Sequence, residues 1–246
     1  GSYTLDAATT GNSNVAIGHN ALTANTTGYT NVAVGHLALK TNTTGFRSTA
    51  IGAHALEAQS PASTAVDMGN TAVGFYAGTS VTTGSANTIV GSLAGDALNT
   101  AGGNTVVGFA ALSGDLKGDT TTAVGGYSLT AQSFSGATNT FNTALGYQSG
   151  MGSTTGTQNT IVGAVACSIG TLVGSNNVVM GYGAANNVTS PANSVFVGAG
   201  AAGAGVTTGN NNVCVGNAAG YELTSGTSNT FIGKGAGDKT TTGNEN

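Results

Sequence analysis

The five residues Asn70-Thr71-Ala72-Val73-Gly74 occur in thirteen near-copies along the chain, and the remaining sequence is the spacing between these copies. The closing glycines are Gly18, Gly35, Gly52, Gly74, Gly91, Gly108, Gly125, Gly146, Gly163, Gly181, Gly198, Gly216 and Gly233. Successive closing glycines are 17 or 18 residues apart, except for one step of 22 and one of 21. A short, steady period indicates a solenoid, in which each repeat buries its apolar face against its neighbours.

The repeat runs through almost all 246 residues, which predicts one all-β solenoid domain of about thirteen coils. We assign residues 1–10 to a partial leading coil, residues 11–243 to the array and residues 244–246 to the start of a truncated further repeat. This truncation leads us to expect a fragment of a longer protein, or ends that other domains cover. Because no segment has a sustained apolar period of about 3.6 residues, we expect almost no helix.

The composition argues against several classes of protein. Only 6% of residues are charged, and the five basic residues are scattered, whereas a nucleic-acid groove needs clustered Lys and Arg. No apolar run approaches the ~20 residues of a membrane helix, so we expect no membrane insertion. The many β-branched residues and the two prolines argue against disorder.

The three residues before each closing glycine have the pattern of a strand that is apolar on both faces. An aliphatic residue or Met precedes the glycine, and Thr or Val stands two positions earlier, on the same face of the strand. This pairing favours inward-pointing threonines, such as Thr71 and Thr88. The residue between them, for example Ala16, Ile89 or Phe231, then faces outward. An outward apolar row needs a cover, which predicts an oligomer with this row at the interface.

Three further positions of the repeat predict how a coil turns. Asn stands four residues before the glycine in ten copies. These residues either form a ladder of stacked, hydrogen-bonded amides or serve as turn residues that tolerate left-handed backbone. The closing glycine provides a positive φ or room for a bend, and Ala or Ser three residues later indicates a thin core. A second glycine, often after Thr-Thr, ends the coil. We therefore expect a strand, a glycine bend, a short strand and a glycine turn.

Residues 31–45, Asn-Val-Ala-Val-Gly-His-Leu-Ala-Leu-Lys-Thr-Asn-Thr-Thr-Gly, show the repeat clearly. This unit resembles the head repeats of YadA-type trimeric autotransporter adhesins, and more closely the longer variants in bacteriophage tail fibres and related surface fibres. The resemblance covers about residues 11–243. It implies a left-handed parallel β-roll and a homotrimer of three chains side by side. The adhesin heads have shorter coils and Ser in place of Asn, which favours the phage-type fibre.

The resemblance also implies a function and a location. A phage tail fibre or phage-like surface fibre holds a host-attachment surface away from its particle, and its receptor is a cell-surface glycan or protein. The location implied is the virion tail fibre, the extracellular space or the cell surface. The alternatives are a bacterial trimeric autotransporter adhesin head and an ice-binding β-solenoid, in which rows such as Thr71, Thr88, Thr105, Thr122 and Thr143 would form a hydroxyl array.

Two long steps and an aromatic row supply candidate binding residues. The insertions contain Gln59-Ser60-Pro61-Ala62-Ser63 with Asp67-Met68, and Ser133-Phe134-Ser135-Gly136-Ala137-Thr138. Insertions in solenoids form loops on one side, so Gln59, Asp67 and Phe134 are candidates. Aromatic rings just after the closing glycine either stack on sugars or pack between protomers. They are Phe75, Phe109, Tyr147 and Tyr182.

The histidines do not form an evident metal site in the sequence. His19 and His36 occupy equivalent positions and should lie ~5 Å apart on adjacent coils. His54 stands one position later, which predicts the opposite face, and no carboxylate has a metal-ligand spacing to any of the three. We therefore expect solvent-facing or packed histidines, and leave metal binding by His19 and His36 open.

No pattern of residues predicts catalysis. Left-handed β-helical acyltransferases have coils of similar length and a catalytic His, but their aliphatic residue recurs every sixth position, and here one position per 17 residues dominates. No paired carboxylates or phosphate loop appear, so we expect no enzyme, no catalytic residues and no cofactor. Cys167 and Cys214 stand three coils apart, ~14 Å at the usual strand spacing, which is too far for a disulfide.

Overall fold

The computed structural model describes residues 1–61, 63 and 66–246. The chain divides into two compact units, Gly1–Thr121 with Phe134–Thr138, and Thr122–Ser133 with Asn139–Asn246. Within the described residues the secondary structure consists of strands and turns without a helix. The all-β prediction is confirmed.

Every coil contributes one strand of three residues. The strands are β1 (Val15–Ile17), β2 (Val32–Val34), β3 (Thr49–Ile51), β4 (Thr71–Val73), β5 (Thr88–Val90), β6 (Thr105–Val107), β7 (Gly118–Asp119), β8 (Thr122–Val124), β9 (Thr138–Asn139), β10 (Thr143–Leu145), β11 (Thr160–Val162), β12 (Val178–Met180), β13 (Val195–Val197), β14 (Val213–Val215) and β15 (Thr230–Ile232). The two-residue strand β7 lies in the coil before the second insertion, and the two-residue strand β9 lies at the insertion itself. Six coils lie in the first unit and seven in the second.

Within each unit the strands pair in parallel, each with the strand of the following coil. In the first unit Thr71 lies opposite Thr88 and Val73 opposite Val90, and the same register continues through its other strands. In the second unit β8 pairs with β10, and β10 to β15 follow one another. Each unit is therefore a parallel β-solenoid, and the predicted thirteen coils are confirmed.

The closing glycines form the corner that follows each strand. All thirteen have φ between 121° and 144°, a region that L side chains rarely adopt. A Cβ atom on Gly74 would lie 2.4 Å from the carbonyl oxygen of Gly91 on the next coil, and one on Gly91 would lie 2.5 Å from that of Gly108. The glycine therefore provides both the predicted positive φ and the close approach of successive coils.

The segment after the glycine differs from the prediction, because it forms a tight turn in place of a second short strand. Residues two and four positions after the glycine have left-handed backbone, as at His54 (φ 62°) and Leu56 (φ 48°). Since side chains alternate between two faces only in extended backbone, period-two reasoning does not apply after the corner. This backbone places the small residue three positions after the glycine inside the coil, where Ala38 and Ala55 are buried.

The predicted orientation of the strands was wrong. The middle residue of the strand points into the coil, and Ala33, Ile89 and Phe196 are fully buried, whereas the flanking Thr or Val and the aliphatic residue face outward. The inside is narrow, so a large middle residue needs a small partner. A Cβ on Gly78 would lie 2.8 Å from Cδ1 of Ile89. The alternation of side chains along a strand predicts that the two rows lie on opposite faces. Because both rows are apolar, hydrophobicity alone does not show which row faces the interior.

The Asn that recurs four residues before the closing glycine forms a hydrogen-bonded ladder, which is one of the two roles predicted for it. Asn87 is buried, and its Nδ2 donates to the carbonyl of Ala101 (2.9 Å). The backbone N–H of Asn104 donates to Oδ1 of Asn87 (3.0 Å), just as that of Asn87 donates to Asn70 (2.9 Å). Each amide thereby satisfies a backbone donor and a backbone acceptor that would otherwise be buried and unpaired.

Candidate functional site

The outer face of the strands is a regular surface in both units. Its two rows consist of Thr or Val and of aliphatic residues, without a charged side chain in any of the three-residue strands. Exposed aliphatic side chains on this face include Ile17, Ile51, Leu145, Met180 and Ile232. Contiguous exposed apolar rows of this kind are unusual on monomeric proteins and are typical of interaction surfaces.

The threonines of the strands belong to this outer face and not to the interior. Thr88 and Thr105 of the first unit are exposed, as is Thr160 of the second. The prediction of inward-pointing threonines is therefore wrong, because the middle residue of the strand occupies the interior. The parallel register aligns each threonine with its equivalent on the next coil, as Thr88 lies opposite Thr105.

The four aromatic candidates lie on the surface just after the closing glycine. Phe75 and Phe109 in the first unit are 52% and 46% exposed, and Tyr147 and Tyr182 in the second are 54% and 71% exposed. Phe75 packs edge-on against Tyr76, with ring centroids 4.4 Å apart. These rings are accessible to a ligand or to a second chain.

The first insertion begins with a residue that is completely buried. Gln59 has no exposed surface, and its Nε2 donates to Oγ of Ser48 (3.1 Å) and to Oδ1 of Asn42 (3.3 Å). Its Oε1 accepts a hydrogen bond from Nδ2 of Asn70 (3.0 Å). Gln132 begins the second insertion and accepts a similar bond from Asn142 (2.9 Å). Both glutamines connect an insertion to the asparagine ladder, so Gln59 is removed from the candidate surface.

The other two candidates in the insertions have different positions. Phe134 is buried, and its backbone N–H donates to Oδ1 of Asp115 (3.2 Å), so it too leaves the candidate surface. Asp67 is exposed and forms an ion pair with Arg47, whose guanidinium lies 5.3 Å from the ring centroid of Phe46. Ala62 of the first insertion lies outside the described residues.

The three histidines form a single column in the first unit. The ring centroids of His19 and His36 are 5.4 Å apart, and those of His36 and His54 are 5.2 Å apart. His54 was predicted on the opposite face, which is wrong, because the turn after the closing glycine has left-handed backbone at His54. Nδ1 of His54 is 2.6 Å from Oε2 of Glu57, a carboxylate neighbour that the sequence reasoning missed. The spacing of three residues between His54 and Glu57 in the sequence could have indicated this contact.

Other reactive groups are few among the described residues. No pocket opens there, and no three His, Cys, Asp or Glu side chains converge to hold a metal. Cys167 and Cys214 are unpaired, as predicted, and burial raises the pKa of each thiol to about 12. A protonated, buried thiol is chemically inert, so both cysteines act as small apolar residues.

No family model, curated protein or solved structure gives a significant match to this chain. In the described part of the chain no helix is both long enough and apolar enough to cross a lipid bilayer.

Proposed function

We propose that this chain is a structural segment of a phage tail fibre or phage-like surface fibre, and that it forms a homotrimer through the outer face of its strands. The observation that carries this proposal is the orientation of the strands, which leaves two uncharged rows with exposed Ile and Leu outside each unit. Burying these rows against two further chains removes apolar surface from water, which stabilises the assembly by about 25 cal/mol for each Å² buried. The interface is therefore opposite to the Ala16, Ile89 and Phe231 row inferred from sequence.

The left-handed coil and three-fold symmetry in this proposal derive from the resemblance to fibre and adhesin repeats. The usual coil length of 17–18 residues and the Asn found in ten of the coils favour the phage-type fibre over the autotransporter head. Exposed residues outside the strand face provide the attachment surface for a host glycan or protein. They are Asp67, Phe75, Phe109, Tyr147 and Tyr182.

The mass in solution tests the trimer. Light scattering is expected to give about three times 23.6 kDa, with a matching band on an unheated SDS gel. The change Val90→Glu places a carboxylate on the outer face of β5 and, in a trimer, three carboxylates in one apolar interface. Burying unpaired charges costs several kcal/mol each, so we expect Val90→Glu to have the monomer mass.

The control for Val90→Glu is Thr83→Glu, which adds the same charge to an exposed turn of the first unit. It should keep the mass of the wild-type protein. A wild-type monomer would reject the homotrimer, and a Val90→Glu variant that stays trimeric would reject this face as the interface.

Ice binding is a second candidate, and the outward orientation of the threonines favours it. Thr has few side-chain rotamers, and parallel strands repeat every ~4.8 Å, so Thr71, Thr88 and Thr105 form a regular row of hydroxyl and methyl groups. A monomer that shows thermal hysteresis, and loses it on Thr88→Lys, would support ice binding over the fibre. A trimer without thermal hysteresis would reject it.

A further inference from the structure

All three histidines of the chain lie in one column on three successive coils of the first unit. His19 and His36 are exposed, and His54 is half-buried. The column continues into Tyr76, whose ring is stacked on His54 with centroids 4.3 Å apart and planes 7° apart. Tyr76 thereby restrains the ring of His54 from one side, while His36 remains accessible to solvent.

The spacing of the rings is that of two imidazoles on one metal ion. Two imidazole nitrogens, each about 2.1 Å from a tetrahedral metal, place their ring centroids about 5 Å apart. The centroids of His36 and His54 are 5.2 Å apart, with the ring planes at 80°. Small side-chain rotations at this accessible position can therefore direct one nitrogen of each ring to a common point.

Glu57 distinguishes His54 from the other two histidines. Its Oε2 lies 2.6 Å from Nδ1 of His54, and its Oε1 lies 3.3 Å from Nζ of Lys40. A carboxylate oxygen at this distance from Nδ1 favours the tautomer with the proton on Nδ1, which leaves the lone pair of Nε2 free. Carboxylates orient metal-binding histidines in this way.

We propose that His36 and His54 bind one divalent transition-metal ion of the zinc, nickel or copper class, and that Glu57 positions His54 for this role. Imidazole nitrogen is a preferred ligand of these ions. Two imidazoles supply part of the coordination shell, and water completes it, because no third protein donor converges on this point within the described residues. The site is therefore an open one, and its two histidines lie outside the three-residue strands.

Calorimetric titration of the untagged protein with zinc chloride and with nickel chloride tests the proposal. We expect one ion per chain. His36→Ala should weaken binding by at least tenfold, and Glu57→Gln should weaken it by about ten- to 100-fold, as is usual when an orienting carboxylate is lost. His19→Ala is the matched control, since it removes an imidazole from the same column and should change affinity less than threefold.

A second measurement assigns the ligands directly. Paramagnetic nickel should broaden the imidazole proton resonances of His36 and His54 first, and circular dichroism should show that each variant keeps its β structure. Absence of binding with zinc and nickel, or unchanged affinity in His36→Ala, would overturn the metal site. Unchanged affinity in Glu57→Gln would overturn the positioning role of that carboxylate.

Discussion

Replacing Gly74 with alanine is expected to destabilise the protein by at least about 3 kcal/mol. The φ of Gly74 is 144°, which an L side chain rarely adopts. The added Cβ would also lie 2.4 Å from the carbonyl oxygen and 2.6 Å from the carbonyl carbon of Gly91. Both obstacles are backbone atoms of the adjacent coil, so relief requires the coils to separate and the hydrogen bonds between β4 and β5 to lengthen. Denaturant unfolding followed by circular dichroism measures the loss.

Gly136→Ala is the control for this substitution. Gly136 is exposed, its φ is outside the left-handed region, and a Cβ atom there would have no neighbour within 4 Å. We expect a change of less than about 0.5 kcal/mol, as at most surface positions. If Gly74→Ala were as stable as Gly136→Ala, the close approach of the coils at the glycine corner would not limit stability.

Replacing Asn87 with leucine is expected to cost about 2 to 6 kcal/mol. The side chain of Asn87 is buried, and leucine fills a similar volume without hydrogen bonds. The substitution leaves the backbone N–H of Asn104 without its acceptor and the carbonyl of Ala101 without its donor. Each buried, unpaired backbone group costs about 1 to 3 kcal/mol. The midpoint of denaturant unfolding reports this loss.

Asn87→Ser separates hydrogen bonding from packing at the same position. Serine occupies this place in two natural coils, and Oγ of Ser194 accepts the backbone N–H of Asn212 at 3.2 Å. A serine at position 87 should therefore satisfy Asn104 and recover part of the stability that leucine loses, although it is smaller. Equal losses for leucine and serine would contradict the ladder as the source of stability.

The candidate surfaces were only partly predictable. The aromatic row after the closing glycine was predicted from its position, and Phe75 and Tyr182 are exposed. The tendency of insertions to form loops predicts exposed side chains for Gln59 and Phe134, but both are buried. The sequence contained a clue, since Ala-Gln-Ser begins both insertions, at Gln59 and Gln132. A repeated polar residue at the start of two unrelated loops indicates a shared structural contact.

The sequence by itself determined the parallel solenoid, its thirteen coils and the role of the closing glycine. These features follow from a period that repeats thirteen times, because each copy of a residue must stack on its equivalent in the next coil. The roles of Gly74 and Asn70 can thus be inferred from a single repeat, and the equivalent residues in the other repeats support them.

Only the tertiary structure decided which side of each strand faces inward. The row of Ile89 and the row of Val90 are both apolar, so hydrophobicity does not rank them, whereas the narrow interior admits one row with a small residue opposite. The histidine column also depended on tertiary structure, because the left-handed turn at His54 ends the alternation of side chains and brings His54 to His36 and Glu57. Side-chain direction follows from backbone dihedrals, and the repeat pattern does not specify those dihedrals after the glycine corner.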